Sequence, residues 1–311
     1  MADDSDRTAS LMTPAKLAQL KVRPSGAASP AAWLDQLATD AGSGHVRRLV
    51  DLRGQLEAQA RDRSYRAVQA TLEALGGALQ QVDFGLLQPK GWLARATGKG
   101  KEAGVGFGAQ VDRVLRAAED AKEEVQALQR KQLAQAGVTD RTLTEFDVEV
   151  KAIEKIIDQG ARWLQDMRNQ LKEREAKAAS NAGLQQQMEQ DAARCALLVA
   201  RLKLLRTATS SAQQAGERCK ATAARRTTLV DALQQAVTGE WASWQQRLAP
   251  LAAQVVESGS ATEGVDGARK VHQELQACLK QAAEDCMQLQ GQERALADDL
   301  AGLQAPLQAA A

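Results

Sequence analysis

Apolar residues recur along this chain at steps of three and four, the spacing that lines one face of an α-helix. Tyr65, Val68, Leu72, Leu75 and Leu79 predict a helix within a first helical region, residues 31–81, loosened near its end by Gly76-Gly77. Val111, Val114, Ala118, Ala121, Val125 and Leu128 carry a second seam. Gly137, followed by Thr139-Asp140, predicts a stop and a new start, with Glu145 and Asp147 near the positive end of the next helix. The next seam is Leu143, Phe146, Val150, Ile153, Ile157, Gly160, Leu164, Met167 and Leu171, a heptad rhythm. At about 1.5 Å per residue, Thr139 to Ala182 spans roughly 65 Å. A break near Asn181–Gly183 precedes one register running from Cys195 to Trp244 through Leu198, Leu202, Leu205, Thr209, Ala212, Gly216, Cys219, Ala223, Arg226, Val230, Leu233 and Val237. Its stretch from Thr209 to Ala223 is lined by small residues, so a neighbouring helix is expected nearest there. Pro250 and the segment Ser258–Gly267 interrupt the pattern. A last helix, Ala268–Leu303, carries Val271, Leu275, Cys278, Ala282, Leu289, Leu296 and Leu300.

Composition narrows how such helices pack. Of 311 residues 44% are hydrophobic but only 3% aromatic, and Ile occurs only at 153, 156 and 157. Strong helix formers dominate and sheet formers are scarce, so the fold class is all-α. With so few large rings, seams of Leu, Val and Ala favour long, thin packing over a thick core. A compact chain of this length would be about 50 Å across, shorter than these helices. The expectation is an elongated bundle of long antiparallel, coiled-coil-like helices. Residues 1–30, with Pro14, Pro24 and Pro30 among Ser, Ala and Gly, read as a disordered arm. Residues 82–108 hold seven glycines and read as an irregular, basic connector, because Gly costs about 1 kcal/mol relative to Ala inside a helix. Residues 109–306 read as the long-helix bundle, one structural unit with 31–81.

Charge and chemistry change the picture little. Lys plus Arg total 40 against 39 Asp plus Glu, which argues against a nucleic-acid binder. The acidic start MADDSDRTAS and the lack of a long apolar run read as a cytoplasmic protein. His45 and His272 fit no triad or metal-ligand spacing, and Cys195, Cys219, Cys278 and Cys286 include no CxxC. Three of them, Cys195, Cys219 and Cys278, fall on seams as small apolar residues, although Arg218 and Lys220 flank Cys219. The run TGKGKEAGVGFG at 97–108 lacks the upstream glycine and following Ser or Thr of a phosphate-binding loop. No cofactor, metal or catalytic residue is expected. One segment has the composition to meet an anionic surface or an acidic partner: Lys90, Trp92, Arg95, Lys99 and Lys101 join an interfacial aromatic to clustered cations. A solvated interhelical loop is the plainer reading of the same residues.

The order of features over roughly residues 80 to 256 resembles the TelA-like toxic anion resistance family. The resemblance is carried by VDFGLLQPKGWLARATGKGK ahead of the long helices, then by Arg201-Leu202, Leu205-Arg206-Thr207, Arg225-Arg226 and a helix closing on Trp241 or Trp244. The family usually has polar amides where Arg225-Arg226 stand, and Pro-Leu-Trp where this chain has Gly239-Glu240-Trp241. The resemblance implies an intracellular bacterial protein associated with resistance to tellurite and related stress, and it brings no catalytic residues. It points to a non-enzymatic scaffold working through protein partners, with peripheral contact to the anionic inner membrane and room for homo-oligomers. Two other readings stand beside it: a structural coiled-coil component of a secretion or phage system, and thiol-based handling of toxic oxyanions.

Overall fold

The computed structural model describes residues 40–87, 99–178, 181–258 and 263–311. The 1–30 arm lies outside them, as does most of the basic segment. Among the described residues there is no strand: the chain is all-α, built from long helices.

Helix α1 is Ser43–Asp62 and α2 is Arg66–Gln80, followed by a 3₁₀ turn at Phe84–Leu87. The first helical region is therefore two helices broken at Arg63-Ser64-Tyr65. Helix α3 runs without interruption from Lys99 to Ala178, 80 residues and about 120 Å. Helix α4 is Ala182–Gln235, capped by Asn181, whose side chain accepts from the Gly183 and Leu184 amides. It passes through a π turn, Ala236–Glu240, into α5, Trp241–Ser258. Helix α6 is Val265–Gly302, and short α7 is Gln304–Ala310.

Three expected breaks are absent. The helical start at Lys99 takes in Gly100, Gly104, Gly106 and Gly108, so the latter part of 82–108 is helix rather than connector. Ala103, Phe107, Val111 and Val114 form a buried stripe there, with Phe107 and Val114 fully enclosed. Burying a side chain of that size contributes about 2 kcal/mol, enough to offset the glycines. Gly137 does not end a helix either. The Thr139 hydroxyl lies 2.9 Å from the Gln135 carbonyl and Thr142 donates to Val138, so these hydroxyls sit within a continuing helix rather than capping a new one. Pro250 lies inside α5 on its exposed side, between buried Leu248 and Leu251.

Cross-helix contacts give the topology. His45 meets Glu149, Lys131 meets Asp62 and the Asp83 amide meets Gln110, so α3 runs antiparallel to α1 and α2. Gln129 pairs with Gln234, Lys220 with Asp147 and Arg174 with Asp191, so α4 returns antiparallel along α3. Arg53 reaches the Leu300 carbonyl and the Tyr65 amide reaches Gln290, which sets α6 antiparallel to α1 and α2. The packed pairs are the adjacent ones, and neither diagonal is among them. The described residues form an up-down-up-down four-helix bundle whose four columns are α1–α2, α3, α4–α5 and α6, with α7 closing one end against α1 and α4.

Two of the columns are longer than the other two. At Gly42, which has φ 76°, an added Cβ would lie 3.4 Å from Leu205 and 3.7 Å from Ile156. Among the described residues, α3 and α4 continue past that level as an antiparallel hairpin, residues 157–178 and 182–204, extending about 30 Å at helical rise. Its seam joins Ile157, Leu164 and Met167 to Cys195, Leu198 and Leu202. The two helices approach closely at Gly160, where a Cβ would come within 2.8 Å of Leu202. The small-residue stretch on α4 has a local use: at Gly216 the Phe146 ring lies 3.7 Å from where a Cβ would stand.

Candidate functional site

The bundle core is not continuous. One apolar cluster spans Tyr65–Leu87, Phe107–Leu128, Leu229–Val255 and Ala268–Leu289; the other spans Val46–Ala60, Leu143–Met167, Cys195–Cys219 and Leu296–Ala310. Between them lies a buried polar layer, built where the α1–α2 break delivers Arg63 and Tyr65 into the bundle.

Arg226 of α4 makes a two-pronged ion pair with Glu293 of α6, Nε to Oε1 at 2.5 Å and Nη2 to Oε2 at 2.8 Å. Glu293 is fully buried and Arg226 is 6% exposed. The Tyr65 hydroxyl donates to Glu293 and accepts from Gln132. Burial, and then the Glu293 charge, push the Tyr65 phenol well above its ordinary range. Arg63, 4% exposed, donates to Gln132 Oε1 at 3.0 Å and to the Thr139 hydroxyl at 2.9 Å. Neither partner carries charge, and its Nε has no partner. Burial and the neighbouring Arg226 charge depress the Arg63 pKa. The layer thus holds two buried guanidinium groups and one buried carboxylate.

A cavity of about 340 Å³ opens beside this layer between α3 and α4. Both arginines line it, with the polar groups of Gln129, Gln132, Thr139 and Thr227. The sequence placed Arg226 on a seam and Tyr65 on another but did not bring them together. Arg63 follows no period, and Glu293, four residues after Leu289 and three before Leu296, is a charge at an apolar register position.

The residues singled out from sequence distribute differently. Lys90, Trp92 and Arg95 lie outside the described residues; Lys99 and Lys101 fall in the first turn of α3. Cys195, Cys219 and Cys286 are buried and Cys278 is partly buried. Cys278 packs against the core cluster from its partly buried position on the seam, and Cys286, which the seam left out, is the fully enclosed one, beside Leu279, Ala282 and Leu289. Burial raises all four thiols, Cys219 to about 11 and Cys286 to about 12. The cations flanking Cys219 are engaged elsewhere: Arg218 pairs with Asp299, and Lys220 with Asp147 and Glu217. His272 is a core residue. It accepts from Trp244 Nε1 at 3.0 Å and packs edge-on to Phe84, while Trp244 stacks on Trp241. Among the described residues no group of His, Cys, Asp and Glu is arranged to hold a metal, and no helix is long and apolar enough to cross a membrane.

No family model matches the chain, and neither the curated proteins nor the solved structures contain a match to it.

Proposed function

We propose that the protein is a non-enzymatic helical scaffold of the TelA-like kind, acting in the bacterial cytoplasm in tolerance of tellurite and related toxic anions, with the α3–α4 hairpin as its partner-binding arm. The observation that supports this reading is an apolar stripe on the outer face of α4. Ala193, Leu197, Ala200 and Leu204 follow one another at steps of four, three and four, and all are exposed. Leu197 and Leu204 are 61% and 44% exposed, one heptad apart. Soluble surfaces seldom keep such a stripe uncovered. Lys203 flanks it by helical position, while Arg201 on the other border is half-buried and donates to the Ala41 carbonyl, so the partner that fits is an amphipathic helix with an acidic edge toward Lys203. The buried, proton-holding thiols weigh against thiol chemistry as the mechanism.

The experiment compares growth under tellurite of bacteria carrying the full chain with bacteria carrying Leu197→Glu/Leu204→Glu, a surface change that leaves the helical circular dichroism intact. The full chain raises tolerance and the double variant does not. Equal tolerance with both removes the hairpin from the function, and no tolerance from either removes the scaffold reading.

A further inference from the structure

We propose that the cavity between α3 and α4 binds a small oxyanion of the phosphate or sulfate type, held by Arg63 and Arg226. The inference is independent of the hairpin reading, since it concerns a different region and a different measurement.

Five observations converge on it. The polar layer encloses two guanidinium groups against one carboxylate, and Glu293 is already committed to Arg226 through both of its oxygens. Arg63 is left with neutral partners and an unpartnered Nε although it is 4% exposed. The one carboxylate whose charge reaches Arg63 is Glu293, which is already bonded through both oxygens to Arg226, so the buried pair of cations is under-compensated and an anion in the adjoining space relieves it. That space exists: about 340 Å³ is room for roughly ten waters, at about 30 Å³ each, and so for one hydrated oxyanion. Its lining adds hydrogen-bond donors, because the Gln129 and Gln132 amides spend one N–H each on Gln234 and Tyr65 and keep a second. The cavity's two carboxylates, Asp140 and Asp231, are exposed, where solvent screens them, whereas both arginines are buried, where charge acts more strongly.

The layer's position adds to the argument. An anion here would touch α3, α4 and the α1–α2 break at once, at the level where the two apolar clusters are separated. Binding would therefore stabilise the whole bundle by mass action on the folded state.

The test uses the full chain with inorganic phosphate, by calorimetric titration and thermal unfolding, against chloride at matched ionic strength. Phosphate is expected to bind saturably and raise the Tm where chloride does not. Two variants locate the effect. Arg63→Gln removes the unpaired charge, and Ala224→Phe closes the cavity from an exposed position without touching the buried pair. Each is expected to weaken phosphate binding at least tenfold. A parallel arm with adenosine monophosphate separates sources: tighter binding than phosphate, lost in both variants, assigns the site to a phosphate carried on an organic molecule, and weaker binding assigns it to the free anion. No saturable phosphate effect, or one unchanged in both variants, overturns the proposal; the latter would be the general stabilisation that excluded salts give any fold.

Discussion

Leu289 and Leu296 place Glu293 on the buried face of α6, and its charge is sustained there by Arg226 and the Tyr65 hydroxyl. Removing one member of a buried pair strands the other, so Glu293→Ala is expected to lose about 3–5 kcal/mol of stability in urea unfolding. The double change Arg226→Met/Glu293→Leu removes both charges together and should lose far less than either single change. His272 makes a second prediction. Burial lowers its pKa below 6.5. As pH falls through 6.5 the unfolded chain therefore takes up the proton before the folded one, and stability present above that pH is progressively lost below it. Unfolding free energies measured between pH 7.5 and 5.5 should fall more steeply for the natural chain than for His272→Gln. Neither residue's role was legible in the linear pattern. Periodicity reports that a position faces inward, not which opposite charge or ring will meet it there.

Helix α3 shows how packing overrides local preference. Gly137 has nothing within 4 Å of where a Cβ would stand, whereas Gly42 has φ 76° and Leu205 at 3.4 Å. Gly137→Ala should therefore raise stability by about 1 kcal/mol through helix propensity and a stiffer unfolded chain. Gly42→Ala should lower it by about 1–2 kcal/mol, because an L-residue is strained there. Equilibrium denaturation of the two variants checks both signs. The seams of α3, α4 and α6 were readable residue by residue, since Val114, Phe146, Ile153, Leu198, Leu205, Leu275 and Leu300 are all fully buried. The breaks were less readable. Glycine, threonine and proline state a local cost of about 1–3 kcal/mol, and the buried stripes on either side of Gly137 and Pro250 outweigh it.

At the scale of the molecule, a four-helix bundle bears a two-helix arm, and the two parts should differ in stability. The arm buries one narrow seam, while each bundle helix packs on two neighbours. Amide hydrogen exchange is expected to be faster over 160–175 and 185–200 than over 110–125 and 275–290, by a factor of ten or more. Solution scattering should give a maximum dimension near the roughly 120 Å length of α3, well beyond the roughly 50 Å of a compact chain. Uniform exchange protection, or a compact envelope, would contradict the arrangement.

Helix content, the inward face of each helix and the thinness of the packing follow from the chain alone, because they depend on residue type and on spacing within a turn or two. Order around the bundle, the continuity of α3 and the meeting of Arg63, Tyr65, Arg226 and Glu293 do not. These residues are far apart in sequence, and their encounter depends on which helix lies beside which, at what height. That is set by the summed burial of whole faces and not by any local signal, so only the tertiary structure turned an isolated seam arginine into one wall of a charged cavity.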